Sequence, residues 1–228
     1  MKLKNKKSKL RYINAPEKWG VFLKTLGLVM KKKSARIVMI IGSLMLLLVF
    51  MFPLWSITLE APQFPEGINM YIWVNQITGD SESTLQNMNI LNHYIGMQKI
   101  VPDSIPELQY FPYVIIFMSV LGVLFGLFGN RKTFMIWAVI LIILGILGVY
   151  DFYMWEYDYG HNLDPHAPII VPGMAYQPPL FGSEYLLNFK AISYPALGSL
   201  FLGGSILFAG LGFFMSKEKK EVKDEKAA

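Results

Sequence analysis

The sequence predicts an all-α membrane protein: four transmembrane helices, N-in/C-in, carrying a small mixed extracytoplasmic cap. Three observations predict this class. The chain of 228 residues is 54% hydrophobic with a mean hydropathy of +0.39, too apolar for an ordinary soluble domain. Four runs, residues 37–57, 111–129, 133–150 and 194–215, account for the excess and contain no Asp, Glu, Lys, Arg or His. Each approaches the ~20 residues that cross a ~30 Å hydrocarbon layer as a helix. Helices are required there, because an open sheet leaves backbone groups unpaired in lipid. The third observation is charge asymmetry. Of 21 Lys and Arg, 12 lie in residues 1–36, two are Arg131 and Lys132, and five follow Met215. Only Lys99 and Lys190 remain for the two long connections.

Taken in order, residues 1–35 read as a basic cytoplasmic tail, lysine-rich and disordered over 1–13. Within it, Asn14 and Pro16 are a helix-start signature. Trp19, Phe22, Leu23, Leu26, Val29 and Met30 then recur at the helical period among lysines, the pattern of an amphipathic helix lying in the cytoplasmic interface. Packing of that helix on the protein's own bundle is the alternative. The basic region is too long, and the apolar run too full, for a cleaved signal, so the first span (36–57) is expected to be an uncleaved anchor.

Residues 58–110 form the first extracytoplasmic loop. GINMYIWVNQIT (67–78) alternates Ile68, Met70, Ile72 and Val74 with polar and aromatic neighbours, a strand pattern. A short helix is expected over 85–95, ended by Gly96. Because a lone strand is unstable, PIIVPGMAYQ (168–177) in the other loop is the expected partner, at a sheet edge because of its prolines. The second span (111–129) carries Gly122 and Gly126 as a GxxxG pair. Residues 130–132 make a cytoplasmic turn and 133–150 the third span. The second extracytoplasmic loop (151–193) opens on aromatic side chains. The fourth span (194–215) carries Ser199/Gly203 and Ser205/Ala209, and 216–228 is a charged cytoplasmic tail. Small residues at such spacing let helix backbones approach closely, within the bundle or toward a partner subunit.

The positive-inside rule places both termini and the 130–132 turn in the cytoplasm. The two long connections hold 11 acids against two lysines, and the cytoplasmic parts 19 bases against five acids. The basic side suits anionic lipid headgroups and not nucleic acid.

Composition also excludes chemistry. Absence of cysteine removes disulfides, thiolate metal sites and Cys catalysis. No ionisable residue lies in a span core, so no proton relay or ion-coupling site is visible, and no bundle histidine is present to hold a buried haem. Without internal repeats the chain lacks the inverted-repeat plan of many transporters. No nucleophile motif accompanies the Asp158/His161 pair, so an enzyme is not expected.

All three histidines fall in the extracytoplasmic loops. His161 and His166 flank Asn162–Pro165, with Asp158 and Asp164 as secondary donors. His93 and Met97 are four apart, with Met88 and Met174 further candidates. Imidazole with thioether suits copper, above all Cu(I), and imidazole with carboxylate suits Zn or Cu(II). Plainer roles compete with this metal reading. Tyr150–Tyr159 is the aromatic belt of a helix leaving lipid, and Asp164–Pro165 is a turn. His161 bonds a backbone carbonyl, His93 caps a helix, and the methionines fill core.

The segments NQITGD, LNHYIGMQKI, PDSIPELQYFP, EYDYGHNLDPHAPI and PGMAYQPPLFG resemble a family of small four-helix integral membrane proteins encoded in nitrous-oxide-reductase gene clusters, Bacteroidetes type. The resemblance covers roughly residues 60–195, and the termini look generic. It brings no catalytic residues with it. It implies an accessory role in denitrification: biogenesis of, copper supply to, or electron transfer toward an extracytoplasmic copper enzyme, beside that enzyme's maturation proteins.

The combined expectation is a multi-pass protein of the bacterial inner membrane that binds copper transiently through His93, Met97, His161 and His166. Two alternatives stand: a structural scaffold subunit of a membrane complex, and a quinol-reactive electron-transfer subunit using the Tyr150–Tyr159 rim.

Overall fold

The computed structural model describes residues 15–216, the side chains of most of 15–31 excepted. The tails 1–14 and 217–228 lie outside the described residues. The protein is a membrane protein of four long apolar helices, with a five-stranded antiparallel sheet and one short helix gathered at one end.

Helix α1 runs Ala15–Met45 and tightens into a 3-10 turn, Leu46–Phe50. The amphipathic segment is therefore the first half of the spanning helix and not a separate element. The stretch long and apolar enough to cross a membrane is Lys32–Phe50. The expected span overran by several residues, because Pro53 ends the helical path and Trp55–Ala61 is strand β1.

β1 pairs antiparallel with β2 (Phe64–Ile72), which pairs with β3 (Ile77–Gly79). The segment read as one strand is thus a hairpin, folded at residues 73–76 by a Trp73 N–H to Gln76 C=O bond of 2.9 Å. The other neighbour of β1 is β5 (Phe189–Pro195), and β4 (Gly182–Leu186) closes that edge. Sheet order is β3-β2-β1-β5-β4. The second loop does supply partner strands, as anticipated, but they are β4 and β5. Residues 168–177 join no strand, their prolines withholding ladder donors.

Helix α2 (Thr84–Ile95) ends at Gly96, whose φ of 81° is the left-handed C-cap only glycine adopts freely. α3 (Glu107–Phe128) and α4 (Arg131–His161) form an antiparallel pair across Gly129–Asn130. Asn130 makes a capping box with Thr133, accepting from the Lys132 and Thr133 amides at 2.9 and 3.4 Å. Asn130→Ala is expected to cost about 1 kcal/mol, read as a lower thermal midpoint in detergent. α5 runs Leu197–Met215; residues 194–195, expected in its span, belong to β5.

The bundle is held by close approach. Ser43, fully buried, donates to Met39 C=O at 2.7 Å, and Ser119 of α3 donates to Ser43 C=O at 2.8 Å. Gly122 lets α3 reach this point, and Gly126 abuts Ile40 of α1. The GxxxG pair is thus an intramolecular seam. Trp137, wholly buried, donates from Nε1 to Met118 C=O at 2.8 Å and ties α4 to α3.

The 31 residues of α4 extend roughly 46 Å, well beyond a ~30 Å hydrocarbon layer. Residues 133–150 form the charge-free spanning part. The last three turns, 151–161, stand in the cap. There Phe152, Trp155 and Tyr159 pack on Trp55, Ile57, Met70 and Ile77 of the sheet and Met88 of α2. Trp55 anchors the layer by donating to Ser193 Oγ at 2.8 Å.

Candidate functional site

The aromatic run after the third span has two faces. Tyr150, Tyr153 and Tyr157 are exposed, as an aromatic belt requires, while Trp155, Glu156 and Tyr159 turn into the cap. Three- and four-residue spacings place these inward residues on one helical stripe.

Glu156 is the most unusual of them. It has no exposed surface, and among the described residues neither carboxyl oxygen has a hydrogen-bond partner. Burial pushes its carboxyl up to about 8 from an ordinary 4.5. An unpartnered carboxylate in such a place is costly, so the neutral acid is the resting form near neutrality. Glu156 lines a cavity of about 60 Å³ together with Met70, Met88, Met97, Asn92 and Tyr159. That volume exceeds the ~15 Å³ needed for a water. Tyr159 donates its hydroxyl to Lys99 C=O at 2.9 Å, so it does not serve the carboxyl with that proton.

The residues expected to hold metal fall into two settings. Met97 and the further candidate Met88 are on the cavity wall. His93 is exposed in the last turn of α2, its ring beside that of Tyr94. His161 is exposed too. Its Nδ1 lies 2.9 Å from Tyr157 C=O and its ring stacks on Tyr157 at 3.9 Å, the backbone-bonded role weighed for it above. Asp158 accepts from the Asn162 amide, and Asp164 accepts from the His166 N–H at 2.8 Å. Residues 164–167 form the expected turn, closed by Ala167 N–H to Asp164 C=O at 3.2 Å. Backbone bonds from Asp164 N–H to Gly96 C=O (2.8 Å) and from Ile169 N–H to Tyr94 C=O (2.9 Å) bring this turn against the end of α2. The two loops therefore fold against each other at this end of α2. Among the described residues no three His, Cys, Asp or Glu side chains converge as a ligand group.

Beyond Met97, the cavity holds Glu156 and Met70, which carry no metal-ligand spacing in the sequence, and Met88, a further candidate there. The available signal was an acid embedded in an otherwise aromatic helical stripe. It was masked by reading the whole run as a belt.

A second, larger space lies at the cap end of the long helices. α3 packs chiefly on α1 and α4 chiefly on α5, leaving the α3–α4 seam thin. A groove of about 590 Å³ opens there under the sheet, within the ~300–1,000 Å³ typical of small-molecule sites. Its walls are apolar and aromatic, and Glu107 and Asp151 face it close enough for Asp151 to feel the charge of Glu107.

No protein-family model, curated protein or solved structure matches the chain.

Proposed function

We propose that this chain is an accessory protein of the bacterial inner membrane that supports an extracytoplasmic copper enzyme, of the nitrous-oxide-reductase kind, by holding Cu(I) transiently inside its cap. The carrying observation is the donor set of the cap cavity. Three thioethers, Met70, Met88 and Met97, share it with a buried carboxyl that has no partner. Thioethers select soft monovalent copper over the commoner hard cations, and a carboxylate would supply compensating charge. Donors of these types suit that ion. His93, His161 and His166 are exposed on the cap, suited to first capture. Orientation follows from charge: both termini and the 130–132 turn in the cytoplasm, the cap outside.

Cu(I) competition against a chelator tests the site on the purified full chain. Met88→Leu/Met97→Leu is expected to weaken binding at least about tenfold, roughly 1.4 kcal/mol. His161→Ala/His166→Ala is expected to act less. Equal affinity in the thioether variant and the parent would exclude the cavity. Because the chain has no cysteine, Ser83→Cys in the cap and Ser216→Cys after α5 provide single reporters of sidedness. An impermeant maleimide applied from outside the inner membrane should label the first and spare the second.

A further inference from the structure

We infer that the groove between α3 and α4 is a binding site for one bilayer phospholipid with a primary ammonium headgroup, of the ethanolamine type. The inference is independent of the copper reading.

Size and lining come first. The space, about 590 Å³, runs along Val114, Met118, Leu141, Leu144 and Leu202. Its depth is made by missing side chains. Gly145 and Gly148 of α4 face it, with nothing within 4 Å of a Cβ built at Gly148 and only Leu202, at 3.8 Å, near one at Gly145. A groove opening to hydrocarbon at this level takes an acyl chain.

The head end has the opposite character. Glu107 lies in the first turn of α3 and Asp151 one residue beyond the charge-free part of α4. Both therefore stand where the spans meet the headgroup layer. Both face the groove, and among the described residues neither has an ion pair. The two carboxylates lie within coulombic reach, where they repel each other and call for a cation. A headgroup –NH₃⁺ supplies one, with three N–H donors for the carboxyl oxygens. A choline headgroup carries the charge but has no N–H to donate. An anionic headgroup would meet the carboxylates with like charge. The pair thus selects the ammonium lipid from its neighbours, while the apolar walls accept the chain of any.

The test uses the full chain reconstituted in vesicles of mixed phosphatidylethanolamine, phosphatidylcholine and phosphatidylglycerol, then extracted mildly for native mass spectrometry. One phosphatidylethanolamine is expected to remain per protein, enriched over its share of the vesicle. Glu107→Gln/Asp151→Asn is expected to reduce that enrichment by about tenfold, to the level of phosphatidylcholine. Gly148→Phe, placed in open space and so compatible with folding, is expected to remove retained lipid of every class. Retention without headgroup preference, preference for phosphatidylglycerol, or recovery of a quinone in place of phospholipid would each overturn the proposal. So would full retention in Gly148→Phe.

Discussion

Glu156→Leu is expected to stabilise the protein above neutral pH and to flatten its stability against pH. The buried carboxyl has its folded value raised to about 8 from 4.5, so the folded state binds a proton that the unfolded state has released. Its contribution is fully present below pH 4.5 and is lost as pH rises, by about 1.4 kcal/mol per unit until the folded value near 8 is passed. Above that pH the loss is complete and the slope vanishes. Thermal midpoints of parent and variant, measured in detergent at pH 5 and pH 9, should converge at the acid end and separate at the alkaline end. Leucine suits the site because the wall is otherwise apolar and no hydrogen bond is surrendered. A parent protein equally stable at pH 5 and pH 9 would show that the carboxyl is not neutral in the fold.

Gly122→Leu is expected to be the most damaging single change in the bundle, and Gly203→Leu nearly silent. A Cβ on Gly122 would meet Ser43 Oγ and come within 2.9 Å of the Trp137 ring, where α1, α3 and α4 converge. Overpacking costs typically 1–3 kcal/mol, and more where backbone must yield. Here it must yield, because Ser119 Oγ holds α3 to the Ser43 carbonyl in the same layer. Gly203 has nothing within 4 Å of an added Cβ. Comparing folded yield and thermal midpoint of the two variants separates close approach within the chain from docking on a partner. A damaging Gly203→Leu alone would point to a partner helix on the exposed side of α5.

The bundle was legible because apolar length is a direct physical requirement of crossing hydrocarbon. The cap was less so, for three local reasons. β1 begins at Trp55, inside the same apolar run as the first helix, so composition did not change where structure did. Only Pro53 marked the boundary. The hairpin of β2 and β3 kept strand character through Trp73–Gln76, since Trp73 and Val74 look no different from the residues of a strand. α4 continues to His161 because no proline interrupts residues 151–161, and the rise in polarity after Tyr150 marks the end of the apolar run and not of the helix. The candidate site divides the same way. Met97, singled out in the sequence for its soft thioether, lines the cavity, and a backbone bond between Gly96 and Asp164 joins the loops that carry the histidines. Glu156 required knowing which way the helix faced.

The joints between cap and bundle have a mechanical consequence. β1 follows the first span after Met51–Leu54, and β5 reaches α5 across Ala196 alone. Leu54 N–H donates to Ile72 C=O, Ala196 N–H to Leu54 C=O and Gly198 N–H to Pro53 C=O, all within 2.9 Å. With α4 entering the sheet layer as unbroken helix, three of the four spans are welded to the cap without a hinge. A tilt of any one of these spans is expected to carry the sheet with it, because only short, hydrogen-bonded joints separate them.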